Sequence, residues 1–269
     1  MGVIQVTADR PGAGKTSLVG ALLAQLAGAG QKAGYCKPFS PTPDNDPDVA
    51  FISQYLLATA DGPQVPSPQP MPETSGPLLT GAPAQAVQES VRELAAAAEV
   101  VLVEGPDLVS PDGSAWSLPS ELASMLDCRT LLIIRYSTGL DSTTVTSAVE
   151  PFAGQLAGVI INGVIEYKKR EVDQGLLPEL RSRGVPVLGA LPEDRSMLAV
   201  TVQQIAEHLN GHWVQDPVNT DAYVERFLIG GNIMDSGPTY FGRFANQAVI
   251  TRAERPDIQM ACLMEDTGA

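Results

Sequence analysis

The chain has 269 residues, of which 44% are apolar and only 18% charged. That composition supports a packed core and excludes a disordered chain. With 31 acidic against 17 basic residues, the formal net charge is -14, which argues against nucleic acid and against anionic membrane surfaces as partners.

Three cysteines, Cys36, Cys128 and Cys262, lie far apart and form no CxxC or Cys/His cluster, so a zinc site is not indicated. Sparse cysteines suit a reducing compartment. No stretch is long and apolar enough to span a bilayer, and no signal pattern opens the chain. The expected location is the cytoplasm.

In chain order, Gly2–Thr7 reads as a buried strand. Thr16–Ala27 reads as a helix with Leu18, Val19, Leu22, Leu23 and Leu26 on one face, ended by Gly28 and Gly30. Ala33–Phe39 is a second strand, and Asp48–Leu57 a helix. Residues 58–81 are proline-rich and aperiodic, a surface loop. Ala82–Ala98 is a helix and Val100–Glu104 a third strand. Ser117 is expected to cap a short helix reaching Leu126. Strands then follow at Thr130–Arg135, Gly158–Asn162 and Val185–Ala190, separated by helices at Asp141–Phe152 and Lys168–Arg183 and followed by one at Thr201–Leu209. This alternation predicts an α/β fold: a doubly wound, mostly parallel sheet with helices on both faces. The rhythm changes near Asn210-Gly211. Two domains are expected, 1–211 and 213–269, the second a small α/β segment with a strand at Ala248–Thr251 and a helix at Pro256–Met264. A segment that small shields its apolar residues poorly.

The first strand runs into Ala8-Asp9-Arg10-Pro11-Gly12-Ala13-Gly14-Lys15-Thr16 and then the helix. Strand, glycine-rich turn, Gly-Lys-Thr and helix is the context of a phosphate-binding loop. Gly12, Ala13 and Gly14 can turn their N–H groups inward, and the helix adds its positive end. Lys15 is placed for the β and γ phosphates of ATP, Thr16 for Mg²⁺, and Ser17 for a further phosphate contact. The usual GxxxxGK[ST] pattern has glycine where Asp9 stands. Glu104, at a strand end, is a second candidate ligand for Mg²⁺, with Asp48 a third. Asp44, Asp46 and Asp48 crowd one loop, which reads equally well as a solvated turn. Lys37, ending the second strand, can pair with a substrate carboxylate or the γ phosphate.

These residues together resemble the dethiobiotin synthetase-like branch of P-loop proteins, over about residues 1–210. That family opens with GTDTxVGKT. Here Ala8 takes the first glycine, and Gly14-Lys15-Thr16 follow at the same spacing. Its Lys-Pro matches Lys37-Pro38, and its Val-Glu-Gly matches Val103-Glu104-Gly105. The resemblance implies that Asn162 reads adenine and that the Gly189-Ala190-Leu191-Pro192 loop, with Glu193, borders the base. Pro106-Asp107-Leu108 depart from the small residues that bind diaminopelargonate in true synthetases. Arg10 sits where some dimeric P-loop ATPases carry a lysine that reaches the partner's nucleotide, although an exposed loop arginine is the plainer reading. The tail from Phe227 resembles the start of a DRTGG domain, with Arg255-Pro256-Asp257-Ile258-Gln259 carrying the likeness. The pair resembles the region that precedes the catalytic domain of long phosphate acetyltransferases and stand-alone phosphotransacetylase-family proteins. That catalytic domain is absent, so acetyl transfer is not expected.

Three functions follow as expectations: a regulatory ATP-binding module with slow or no hydrolysis, a ligase-like enzyme that activates a carboxylate or carbamate, and an assembly platform for a protein partner. Catalytic roles, if any, fall to Lys15 and Lys37. The resemblance implies a homodimer.

Overall fold

The computed structural model describes residues 2–57, 65–72, 79–231 and 240–264. The chain divides into two compact units, Met1–Glu193 and Asp194–Ala269.

In the first unit, β1 (Gly2–Ala8), α1 (Lys15–Gly28), β2 (Ala33–Cys36), β3 (Phe39–Ser40), α2 (Pro47–Phe51), β4 (Gln69–Pro70), α3 (Gly81–Ala97) and β5 (Val100–Asp107) come first. Then follow α4 (Leu118–Met125), β6 (Arg129–Arg135), α5 (Ser142–Val149), β7 (Leu156–Val164), α6 (Lys169–Glu171), α7 (Leu177–Ser182) and β8 (Val187–Pro192). Six strands form one sheet in the order β2-β5-β1-β6-β7-β8, and every pairing in it is parallel. From β1 the chain crosses to the edge strand β2, returns to β5 between the two, and then passes β1 to lay down β6, β7 and β8 in order on its other side. The reversal falls at β1, where an α/β sheet opens its ligand crevice.

Strand alternation sends successive side chains to opposite layers. In β5, Val101 and Val103 join the cluster under α3 and α4, built on Val87, Val91, Leu94 and Leu118. Leu102 joins the opposite cluster with Val19 and Leu23 of α1. In β6, Leu132 and Ile134 pack with Val145, Phe152 and Leu180, and Ile133 faces α1. Near-continuous apolar strands are what a sheet covered on both faces requires.

Several boundaries differ from the expectation. β2 stops at Cys36, because Phe39-Ser40 leave the sheet to pair with Gln69-Pro70. β5 runs on past Glu104 to Asp107. Ser117 makes no capping bond to the α4 backbone; its hydroxyl donates to Glu121 Oε1 at 2.6 Å. The two helices expected after β3 and β7 each contain a π-helical stretch, at Ile52–Leu57 and Val172–Leu176. Of the expected loop at 58–81, residues 58–64 and 73–78 lie outside the described residues.

The second unit contains β9 (Val200–Thr201), α8 (Val202–His208), β10 (Tyr223–Val224), β11 (Arg226–Ile229), β12 (Gln247–Ile250) and α9 (Pro256–Leu263). A capping box starts α8: Thr201 accepts from the Gln204 N–H while the Gln204 side chain accepts from the Thr201 N–H. The expected helix at Thr201–Leu209 is thus present as α8, Val202–His208. β11 and β12 pair in parallel. Phe241, Ile258 and Ala261 make a small core, while Phe227, Ile229 and Ile250 remain exposed. No helix among the described residues is long and apolar enough to cross a membrane.

Candidate functional site

β1 ends in the fully buried Ala8, and its continuation is rooted in both neighbouring strands. Asp9 N donates to Ile133 O at 2.9 Å, and Leu108 N donates to Ala8 O at 2.8 Å. Asp9, in the usual place of a glycine, ties the loop to β6: its carboxylate accepts from Arg135 N at 2.9 Å and pairs with Arg10 at 2.8 Å.

Gly14 caps α1 in the left-handed region, with φ of 99°. A side chain there would be strained, and its Cβ would stand 2.5 Å from Asn162 Nδ2. Asn162 is close because its amide donates to Ala13 O at 2.7 Å. One amide hydrogen of Asn162 therefore braces the loop. Lys15 and Thr16 follow as the first two residues of α1, where the unpaired N–H groups and the positive helix end favour an anion.

The loop forms one wall of a crevice of about 860 Å³. Gly12 to Ser17, Lys37, Asp48, Glu104 and Asp107 line it, together with Phe39, Met71 and Trp116, which belong to one apolar cluster. The Trp116 wall is held by a short hairpin. Val109 bridges Ala115, and Trp116 N donates to Leu108 O at 2.8 Å.

Polar contacts within the crevice are dense. Thr16 Oγ1 donates to Glu104 Oε1 at 2.8 Å, and Tyr35 Oη donates to Glu104 Oε2 at 2.8 Å. Glu104 is only 3% exposed. Burial pushes its carboxyl above the ordinary range, against the pull of the Thr16 hydrogen bond. Tyr35, fully buried, has its phenol pushed up by burial and then by the charge of Glu104, so it stays a donor. Lys37 Nζ lies 2.8 Å from Asp46 Oδ2 and 2.5 Å from Asp48 Oδ2. Burial works to lower the Lys37 ammonium, but the two carboxylates hold it above the usual lysine range. Asp46 also caps α2, accepting from Asp48 N and Val49 N, and accepts from Ser40 Oγ at 2.6 Å. Lys15 Nζ is ion-paired with Asp107 Oδ1. Burial raises the Asp107 carboxyl, against the nearby Lys15 charge.

Most of the residues read from the sequence meet here: Gly12, Ala13, Gly14, Lys15, Thr16, Ser17, Lys37, Asp48 and Glu104 line one crevice. Asn162 reaches it through the loop. Pro192 and Glu193 do not line it. They end β8 and its exit, where Glu193 pairs with Arg135 at 3.4 Å. Lys37, expected to pair with a substrate carboxylate or the γ phosphate, is paired with Asp46 and Asp48, while Asp44 is exposed and does not line the crevice. Tyr35 and Trp116 had no place in the sequence reading of the site. Asp46 entered it only through the acidic crowding near Asp48, and Asp107 only as a departure from the loop that binds diaminopelargonate.

A parallel sheet reversing at β1, with a glycine turn and Lys-Thr opening the next helix, defines a nucleotide-binding P-loop domain. The chain belongs to the AAA domain family AAA_26, whose model matches residues 3–201. Among solved structures, the MinD cell division protein of Aquifex aeolicus is similar at 15% identity, covering 74% of this chain and 84% of that one, with a TM-score of 0.48. A nucleotide-binding protein from Archaeoglobus fulgidus, in complex with ADP, is similar at 13% identity over 73% and 83% of the two chains, with a TM-score of 0.45. The signal recognition particle 54 kDa protein of Aeropyrum pernix K1, in complex with GDP, matches at 17% identity over 72% of this chain and 42% of that one, TM-score 0.45.

Proposed function

We propose that the first unit binds ATP with Mg²⁺ and serves as a regulatory nucleotide module with slow or no turnover. The donor set supports the metal: Thr16 Oγ1 and Glu104 Oε1 are hard oxygen groups already in contact at 2.8 Å, with Asp48 on the same wall, and Mg²⁺ takes oxygen ligands. Thr16 and Glu104 would hold it, and its charge would offset that of the phosphates. Asn162, kept at the strand end by its bond to Ala13, has an amide oxygen left to meet the adenine edge.

One observation favours regulation over carboxylate chemistry. Both lysines of the crevice are already neutralised by its own carboxylates, Lys15 by Asp107 and Lys37 by Asp46 and Asp48. With Lys15 taken up by the phosphates, the crevice's other lysine, Lys37, is held by Asp46 and Asp48 and leaves an acidic acceptor no spare ammonium. The dethiobiotin synthetase-like and DRTGG-like features of the sequence fit a sensing module of the phosphotransacetylase family, acting as a homodimer or on a protein partner.

A ligase-like reading has one observation of its own: the crevice lining includes Phe39, Met71 and Trp116 of one apolar cluster, a surface suited to the body of a small acid. Phosphate release from Mg-ATP, measured alone and with a panel of small carboxylic acids and diaminopelargonate plus CO₂, separates the two. The regulatory reading expects slow release that no acid changes. Release that rises with an acid, or dethiobiotin formation, would replace it with the ligase.

A further inference from the structure

Asp107 reaches Lys15 through a deliberate irregularity of the sheet. β1 and β5 pair Val6 with Glu104 and then Ala8 with Asp107, so β5 carries one residue more than β1 across this step. Such a bulge re-aims the side chain that follows it. The extra residue lies in Gly105-Pro106, and Thr7 Oγ1 donates to Pro106 O, pinning the bulge. Asp107 is thereby turned onto the phosphate loop, and its carboxylate pairs with Lys15 Nζ. Both side chains are only 15% exposed, so little water screens the pair.

A P-loop lysine serves the β and γ phosphates, while the loop N–H groups and the helix end hold the inner one. A carboxylate at the ammonium therefore stands on the γ side. It competes for the same cation, and it also repels the terminal phosphate directly. Glu104, in contact with Thr16 Oγ1, would have the proposed divalent cation to offset it, and Asp48 has Lys37, a lysine outside the phosphate loop. Asp107 is paired with Lys15, the cation the phosphates need.

Resting on the nucleotide-binding reading, we infer that Asp107 is a specificity-determining residue of the phosphate site, weighing against a triphosphate more than against a diphosphate. Binding of either must release Lys15 from Asp107, and a terminal phosphate then meets the freed carboxylate as a further cost. The chain is thereby set to discriminate nucleotides by the charge at the end of the phosphate chain.

The test compares the full chain with its Asp107→Asn and Asp107→Glu variants. Calorimetric titrations would use ATP, ADP, inorganic triphosphate and pyrophosphate, all with Mg²⁺. Removing one like charge beside a half-dry site should tighten ATP and inorganic triphosphate about tenfold, and ADP and pyrophosphate by clearly less. Asp107→Glu, which keeps the charge, should leave the ratio near that of the parent chain. Thermal unfolding without ligand checks that Asp107→Asn is folded. If it is not, the Asp107→Ser variant takes its place in the same titrations. Equal gains for triphosphate and diphosphate, or no gain, would overturn the inference while leaving nucleotide binding in place. Absence of binding to all four ligands by every variant would sink both this inference and the reading beneath it.

Discussion

Lys15→Ala is expected to weaken ATP binding by roughly 100-fold or more, because two effects add. The first is loss of the ammonium at the β and γ phosphates. The second is specific to this chain. With Lys15 removed, Asp107 keeps its place on the bulged end of β5 but loses its partner. An unpaired carboxylate then faces the incoming phosphates. The same orphaned group should lower folding stability by about 1–3 kcal/mol, the usual cost of stranding a buried polar partner. Circular dichroism should show the fold retained, and thermal melts should show the decrease. Unchanged ATP affinity in a folded Lys15→Ala chain would refute the assignment of the phosphate loop.

Glu104→Gln is expected to remove most of the dependence of ATP binding on Mg²⁺. Glu104 is buried and receives hydrogen bonds from Thr16 and Tyr35, so its two oxygens are fixed where a cation at Thr16 would need them. Glutamine keeps the size but loses the charge, and its NH₂ group must face one of two hydroxyl donors. Disturbing even the groups that support a metal ligand typically costs 10–100-fold in metal affinity, and replacing the ligand itself should reach about 100-fold. Titrations with and without EDTA read this directly. A full Mg²⁺ effect in the variant would move the metal away from Glu104.

What the sequence made legible were features written locally. The apolar strands are short and β-branched, so β1, β5, β6 and β7 announce themselves, and Gly12, Gly14, Lys15 and Thr16 carry their meaning in their spacing. Glu104 stood out as a carboxylate at the expected end of a buried strand, and it lines the crevice although β5 runs on to Asp107. The rest depended on register. Asp107 looked like a departure in a loop, because nothing in one sequence reveals that β5 gains a residue on β1. Tyr35 fell within the second strand with no role assigned, yet its hydroxyl donates to Glu104. Lys37 read as a partner for a substrate carboxylate or phosphate because its own partners, Asp46 and Asp48, reach it only after the chain turns at Pro38 and Pro41 and starts α2. Two-residue strands such as β9 and β10, on either side of the expected boundary near 211, leave no periodic trace.

The central claim is that the crevice beside Gly14-Lys15-Thr16 holds Mg-ATP. Isothermal titration of the intact chain with ATP in excess Mg²⁺ tests it most directly. A saturable isotherm with one nucleotide per chain, weakened by EDTA and lost in Lys15→Ala, is the predicted result. A flat titration at millimolar ATP, or an isotherm indifferent to both Mg²⁺ and Lys15, would contradict it.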